Sequence, residues 1–126
     1  MSPPTLYANA PYEYAALAPP GALVFTAGAC PLDEAGRVVA PGDYEAQARR
    51  AVENLADALA AAGSGFEQVV KTTVYVATSE QSALVRVWRV VEDGFGASRP
   101  PSTLLGVAAL GYSGQLVEIE AIALAE

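Results

Sequence analysis

The residue types available for catalysis in this chain are few. The sequence contains no histidine and a single cysteine, Cys30. Neither a histidine-based catalytic triad nor the usual histidine or thiolate zinc sites can be built from such a chain, and we expect no transition metal. Cys30 is the one candidate thiol nucleophile, but a lone, partly buried cysteine is usually unreactive. Proton transfer therefore has to depend on groups such as carboxylates.

The charge balance limits the partners. The chain has 14 acidic and 7 basic residues and a net charge of −7. A nucleic-acid backbone is repelled by most of such a surface, so we expect no nucleic-acid partner. No apolar run approaches the roughly 18–20 residues that span a bilayer, so we expect no membrane association. The single cysteine and the lack of an export signal pattern predict a cytoplasmic protein.

Hydrophobic patterns predict the elements that position these residues. A length of 126 residues indicates one domain over residues 1–126. Apolar positions that step by three and four predict a helix from an N-cap at Asp43 to about Ala62, and a second helix from a cap at Ser79 or Ser82 to Phe95. Runs of strand-forming residues predict strands at 22–27, 37–39, 69–76, 103–109 and 116–124.

The order of these elements indicates an α+β fold with a mixed β-sheet. Right-handed crossovers place both helices on one face of such a sheet. The strands nevertheless carry apolar residues at both parities, for example Leu23 and Phe25 against Val24. The second apolar face needs a cover, and no further element of the chain remains to supply it. We therefore expect the chain to associate with copies of itself.

Six stretches of the chain resemble one known family. They read PY at 11–12, FTAGACPLD at 25–33, QARRAVENLADAL at 47–59, AAAGSGFEQVVKTTVYV at 60–76, GVAAL at 106–110 and VEIEAIA at 117–123. In order and spacing they are similar to the Rid, or YjgF-type, reactive-intermediate deaminases. This resemblance implies a chorismate-mutase-like fold and a homotrimer with a central barrel and ligand clefts between subunits. It also implies hydrolysis of enamines and imines to a keto acid and ammonia, with no metal or organic cofactor.

The residue that binds the substrate's carboxylate in this family is missing here. The family pattern has an arginine in a Pro-Ala-Arg-Ser segment, and arginine pairs with carboxylates in a bidentate manner. In this chain the position of the family arginine is taken by Ser102, or by Pro101 if one gap is allowed. Neither residue can form a bidentate contact with a carboxylate. Arg99 is the nearby candidate replacement in substrate binding, although a solvent-exposed or capping role is favoured for it.

Other positions of the family pattern are partly retained. Ala27 and Ala29 stand where the resemblance implies a serine and a glutamine near the ligand, and Trp88 replaces an asparagine. Core packing is favoured for Trp88 because it lies on the apolar stripe of the second helix. Tyr12 and Glu118 match the family. The resemblance makes Glu118 the candidate catalytic acid–base; the alternative is that Glu118 has only a structural role in its strand. Tyr12 is either a ligand contact or a residue that fills the mouth of the cleft.

Three functions stay open on the sequence alone. The leading one is a trimer that binds a small organic ligand in an intersubunit cleft and hydrolyses or condenses an imine or enamine without a required carboxylate. The second is a conventional 2-iminobutanoate or enamine deaminase that releases ammonia and a keto acid, with Arg99 as the substitute. The third is a non-catalytic ligand-binding or chaperone-like trimer. If the chain is an enzyme, we expect a cofactor-independent hydrolase of the deaminase type.

Overall fold

A computed structural model describes residues 5–125. It contains two helices and a four-stranded mixed sheet in the order β1-β4-β2-β3, in which β4 is antiparallel to β1 and β2 while β3 is parallel to β2. The elements are β1 (Leu23–Phe25), α1 (Tyr44–Ala61), β2 (Val69–Ala77), α2 (Gln81–Phe95), β3 (Ser102–Val107) and β4 (Val117–Leu124). The predicted α+β architecture is confirmed.

Helix α1 begins as the sequence predicts. The Asp43 side chain accepts a hydrogen bond from the Ala46 amide at 3.0 Å and so satisfies one of the free N–H groups of the first turn. The helix ends where Gly63 adopts a φ of 78°, a value that costs glycine nothing. Ala62, the predicted end of the helix, is its exposed C-terminal cap.

The prediction of a serine cap for α2 was wrong. Neither Ser79 nor Ser82 caps the helix; its N-cap is Glu80, whose side chain makes no capping hydrogen bond. The Thr78 hydroxyl accepts from the Glu80 amide at 3.0 Å, one step before the helix. The polar side chain that orients the start of α2 thus belongs to Thr78, two residues before the N-cap. A sequence search for a serine at the cap position does not find it.

The prediction of a strand at 37–39 was also wrong, because these residues do not join the sheet. Val38 makes only an isolated antiparallel bridge to Leu32. The intervening turn closes on itself, because an Asp33 carboxylate oxygen accepts from the amides of Ala35 and Arg37 at 2.9 Å each. The segment is a local loop, and the sheet of the described chain has four strands instead of five.

The hydrophobic core lies between the helices and one face of the sheet. Side chains alternate along β4, and every second residue of this strand is buried. The largest fully buried apolar side chains of the core are Leu55, Leu59, Val74, Val76, Val87, Val117 and Ile119. Because these residues come from both helices and from β2 and β4, the prediction that both helices cover the same face of the sheet is confirmed.

The opposite face of the sheet, which we call the open face, carries exposed apolar side chains among polar ones and is not covered by any element within residues 5–125. It carries Leu23 and Phe25 of β1 and Leu105 of β3, which are 41%, 69% and 43% exposed. The half-buried Glu118 and Glu120 of β4 lie on the same face. An apolar surface of this kind usually marks an interaction site.

One polar side chain, Gln47 of α1, is fully buried among these apolar residues. Its Nε2 donates to the carbonyls of Ala40 and Gly114 at 3.3 and 3.1 Å, and its Oε1 accepts from the Leu116 amide at 2.8 Å. A buried amide with its partners satisfied fixes the groups that it joins. Gln47 therefore holds the loop before β4 against helix α1.

We expect Gln47→Leu to lower the free energy of unfolding by about 1–3 kcal/mol, because it leaves buried backbone groups without partners. Chemical denaturation of both proteins measures this. Gln81→Leu, at an exposed position on α2, is the control and should stay within about 0.5 kcal/mol of the unmodified protein. Equal effects of the two substitutions would contradict the role of Gln47.

Candidate functional site

Glu118 lies on the open face in the second position of β4, opposite Tyr75 of β2. Its neighbours Val117 and Ile119 are fully buried on the other face, so the strand cannot rotate or slip without exposing the core. The position of the carboxylate is therefore set by the packing of the strand that carries it.

Two side chains donate hydrogen bonds to this carboxylate. The Gln115 Nε2 lies 3.1 Å and the Cys30 Sγ 3.3 Å from Glu118 Oε1. Gln115 is buried, and its own amide is fixed by a bond from Nε2 to the Val117 carbonyl and by one from the Tyr112 amide to Oε1, each 3.1 Å long. The carboxylate thus has a defined orientation before any ligand binds.

Gly28 lies directly against the same carboxylate. A Cβ atom at this position would lie 2.3 Å from Glu118 Oε2, so no other residue fits unless the acid moves. Gly28 belongs to an irregular stretch after β1. On one side of it the Thr26 amide donates to the Ala121 carbonyl, and on the other side Ala29 forms a bridge with Ile119. Glycine is needed at this position because the Glu118 side chain lies so close to its backbone.

The Cys30 thiol is held in its neutral form. Partial burial, followed by the hydrogen bond to Glu118 and the negative charge of that group, raises the pKa of Cys30 to about 11. A thiol attacks as its thiolate, so the environment of Cys30 suits a hydrogen-bond donor and does not suit a nucleophile.

The second acid of the strand, Glu120, is engaged with its neighbour. The Tyr75 hydroxyl donates to Glu120 Oε1 at 2.5 Å. This bond, together with desolvation, raises the pKa of Tyr75 above its usual value. The two acids thus differ in their partners: Glu120 bonds to a tyrosine hydroxyl, whereas Glu118 bonds to a thiol and a side-chain amide.

A second cluster lies around Trp88 on the helix side of the sheet. The Tyr12 ring packs edge-on against the Trp88 ring with centroids 6.4 Å apart. The hydroxyls of Ser102 and Thr72 lie 2.5 Å apart and share a hydrogen bond. A small cavity of about 20 Å³ lies among these residues, and its walls include Pro11, Thr72, Trp88, Phe95, Arg99 and Ser102.

Arg99 is occupied by the N-terminal segment. Its Nη2 donates to the Ala10 carbonyl at 2.9 Å, and its own carbonyl accepts from the Glu13 amide at 3.0 Å. These bonds hold the segment that carries Tyr12 against the end of α2. This hydrogen bond uses one of the five N–H donors of the exposed Arg99 guanidinium.

The structure does not bring all predicted site residues together in one chain. Ser102 pairs with Thr72, whose side chain faces the helices, whereas Glu118 pairs with Tyr75 on the open face. The two pairs are separated by three residues of β2, which is about 10 Å, and by the sheet itself. Trp88, Tyr12 and Ser102 therefore form one cluster and Glu118 another.

The two predicted alanines lie near the Glu118 cluster but differ in exposure. Ala27 is exposed beside Gly28, whereas Ala29 is half-buried and packs against the core. The sequence did not reveal Gln115 as a partner of Glu118. The signal that could have found it is its place at the end of the loop 111–115, three residues before the acid.

Comparison with known proteins identifies the family. The family model described as endoribonuclease L-PSP matches residues 4–125. Protein DfrA of Myxococcus xanthus is 37% identical over 113 residues, which cover 90% of this chain and 84% of that protein. The 2-iminobutanoate/2-iminopropanoate deaminase of Mus musculus is 37% identical over 100 residues, which cover 79% of this chain and 72% of that protein.

A solved structure agrees with these sequence matches. The Rid-family protein YyfB of Yersinia pestis, whose function is described as unknown, superposes with a TM-score of 0.87 at 28% identity and covers 98% of this chain and 96% of its own. The chain therefore belongs to the Rid, or YjgF-type, family. The resemblance inferred from the sequence is confirmed.

Neither helix of the described chain is both long enough and apolar enough to cross a membrane. Helix α1 reaches 18 residues but carries charged side chains on its exposed side, for example Arg49, Glu53 and Asp57. This pattern is typical of a helix that packs on a core with one side and faces water with the other.

We expect Cys30 to react with iodoacetamide at pH 8 about a hundredfold more slowly than an ordinary thiol, because a pKa of about 11 leaves little thiolate. Glu118→Gln removes the negative charge and should raise this rate severalfold, while burial keeps the pKa above its usual value. Mass spectrometry follows the alkylation. Glu120→Gln, on the same face but bonded to Tyr75, is the control, and an effect of that substitution equal to that of Glu118→Gln would contradict the assignment.

Proposed function

We propose that the chain is the subunit of a homotrimeric, cofactor-independent hydrolase that converts a small imine or enamine to a carbonyl compound and ammonia. The observation that carries this proposal is the Glu118 carboxylate, oriented by Gln115 and Cys30 on an uncovered face of the sheet. A carboxylate held in place by donors and close to an apolar surface is suited to direct a water molecule.

Assembly is part of the proposal because one chain holds only part of the site. The open face presents Leu23, Phe25 and Leu105 to solvent, and a second copy would remove this apolar area from water. The cluster of Trp88, Tyr12 and Ser102 lies away from Glu118 in the same chain. In the proposed cleft between neighbouring subunits, Glu118 of one subunit would face the Trp88 cluster of the next.

The reaction follows from the position of the acid. Glu118 acts as a general base and accepts a proton from water while the water oxygen bonds to the C=N carbon. The C=N π electrons move to nitrogen, which takes up a proton. In the carbinolamine the amino group then takes up a second proton, Glu118 accepts the proton of the new hydroxyl, and the C–N bond breaks so that ammonia leaves. The hydroxyl oxygen becomes the carbonyl oxygen, so one water molecule is consumed for each ammonia released.

The substrate of this proposal has no required carboxylate. Ser102, at the position of the family arginine, shares its hydroxyl with Thr72, and Arg99 donates to Ala10. Ser102 cannot supply the bidentate fork with which arginine binds a carboxylate, and one N–H of Arg99 is already used by Ala10. The identity to the Mus musculus protein named 2-iminobutanoate/2-iminopropanoate deaminase supports the conventional deaminase as the second candidate. A cytoplasmic location stays a prediction of the sequence.

For the assembly, we expect light scattering at micromolar concentration to give a mass about three times the 13.0 kDa of the chain. Phe25→Asp should shift this mass towards one chain, because it places a charge in the apolar open face. Leu17→Asp is the control, since Leu17 is 85% exposed and lies outside the sheet. A single-chain mass for the unmodified protein would contradict the proposed cleft.

For catalysis, we expect Glu118→Gln to lower the rate of imine hydrolysis by about 10² to 10⁴, the usual contribution of a general acid–base. The substitution keeps the shape and hydrogen-bonding capacity of the side chain, so the oligomeric mass should not change. An assay of ammonia release from imines with and without carboxylates measures it, with Glu120→Gln as the control. Full activity of Glu118→Gln would exclude this residue as the base, and loss of the oligomer would show that the acid is structural.

A further inference from the structure

The two oxygens of the Glu118 carboxylate have different surroundings. Oε1 accepts one hydrogen bond from the Gln115 side-chain amide at 3.1 Å and one from the Cys30 thiol at 3.3 Å. A carboxylate oxygen has two lone-pair sites, so these two donors fill Oε1. No donor within residues 5–125 forms a hydrogen bond to Oε2. Oε2 is therefore the oxygen whose lone pairs are free.

Oε2 is also an oxygen that water can reach. Among residues 5–125, the one buried side-chain nitrogen or oxygen atom without a hydrogen-bond partner is Trp88 Nε1. Because Oε2 has no partner and is not such a buried atom, it must keep contact with solvent. It lies directly against Gly28, where a Cβ atom would come within 2.3 Å of it. The free oxygen of Glu118 is thus accessible, and its position depends on the glycine beside it.

Gln115 is held firmly enough to orient the acid. Its side chain is only 3% exposed. Its Nε2 also donates to the Val117 carbonyl, and its Oε1 accepts from the Tyr112 amide, at 3.1 Å each. The amide cannot turn without breaking these bonds. Because it is buried, Gln115 can influence a ligand only through Glu118.

The Cys30 thiol is the second donor to the same oxygen. Partial burial, followed by the hydrogen bond to Glu118 and the charge of that group, raises the pKa of Cys30 to about 11. The thiol therefore keeps its proton at neutral pH and stays a donor. A change of this side chain leaves the bonds from Gln115 to Val117 and Tyr112 in place, so the two donors to Oε1 can be tested separately.

We propose that Gln115 is a positioning residue, which together with the Cys30 thiol occupies Oε1 of Glu118 and so reserves Oε2 as the single atom that accepts the proton of the attacking water. The O–H bond of the water breaks as the Oε2–H bond forms. The electron pair of that O–H bond stays on the water oxygen, which uses a pair to bond to the C=N carbon. This inference rests on the proposed function, because it assigns an atom of the same reaction.

The kinetic test is Gln115→Met, which keeps the length of the side chain but has no N–H to donate. We expect kcat for imine hydrolysis and kcat/KM to fall by the same factor, about ten- to a hundredfold, because an oriented base acts in the transition state. KM should stay within about twofold. Ser113→Ala, exposed in the same loop, is the control and should keep both constants.

Two kinetic results for a folded Gln115→Met would overturn the positioning role. One is an unchanged kcat. If Oε1 were the base, loss of a donor would free a lone pair for the proton and would not slow the reaction. The other is a raised KM at unchanged kcat, which would mean that Gln115 contributes to substrate binding and not to the orientation of the base.

The Cys30 variants test the same oxygen without a change in the loop, and they decide the question if Gln115→Met does not fold. We expect Cys30→Ala to lower kcat about three- to tenfold, a smaller effect because a thiol is a weak donor. Cys30→Ser keeps a donor and should recover most of this loss. Full kcat in Cys30→Ala, or a Cys30→Ser as slow as Cys30→Ala, would contradict the proposal.

The side-chain NH₂ group of Gln115 reports on the held carboxylate without turnover. We expect Glu118→Ala to speed the exchange of one of its protons with water at least about tenfold in ¹⁵N–¹H spectra, because the acceptor is gone. Glu120→Ala removes the other acid of the open face, which bonds to Tyr75, and should leave this exchange unchanged. Equal exchange in Glu118→Ala and the unmodified protein would refute the orienting bond.

The two measurements together separate this inference from the proposed function. If the amide of Gln115 responds to Glu118→Ala but the unmodified protein hydrolyses no imine, the proposed function fails and the catalytic use of Oε2 fails with it, whereas the held orientation stands. If imines are hydrolysed but Gln115→Met and Cys30→Ala keep full kcat, the function stands and the positioning role is wrong. Hydrolysis that slows in both variants at constant KM supports both.

Discussion

The structure depends on the alternation of side chains along β4, the strand that pairs with both β1 and β2. Its odd-numbered residues from Val117 to Ala123 are buried against the helices, and their burial fixes the register of the strand. Because the period is two, the same constraint presents Glu118 and Glu120 on the opposite face. A slip by one residue would bury both acids and expose the core, so the stability of the fold and the position of the acid have one cause.

Around this strand, the polar groups that matter are held by buried amides. Gln47 fixes the loop before β4 from the helix side, and Gln115 at the end of that loop holds the Glu118 carboxylate. A charged group near an apolar surface needs fixed donors to stay in one orientation. Gly28 completes the arrangement because its missing side chain leaves room for the acid. The orientation of Glu118 is therefore built into the subunit.

The chain differs from the usual family pattern in how it can recognise a substrate. Where the pattern has an arginine, Ser102 shares a hydrogen bond with Thr72, and where it has an asparagine, the buried indole N–H of Trp88 has no hydrogen-bond partner among residues 5–125. The neighbouring Arg99 donates one hydrogen bond to the Ala10 carbonyl of the N-terminal segment. The arginine of the family pattern therefore has no counterpart at Ser102.

The sequence by itself determined the local features of this protein. Asp43 and Gly63 have local effects on the backbone, and the periodicity of apolar residues encodes which side of a helix or strand is buried. Both helices, the sheet strands and the family could therefore be predicted from the sequence. The prediction failed for the strand at 37–39 and for the cap of α2, where side-chain bonds of Asp33 and Thr78 to nearby amides competed with regular structure.

Only the tertiary structure decided what the candidate residues contact. The partners of Glu118 are 88 residues away at Cys30 and three residues away at Gln115, and no pattern along the chain encodes such distances. The separation of Ser102 from Glu118 follows from strand register, which places one pair on the helix side of the sheet and the other on the open face. Contacts between residues remote in sequence arise from packing of the whole chain, and for that reason the surroundings of Arg99, Cys30 and Trp88 could be learned only from the fold.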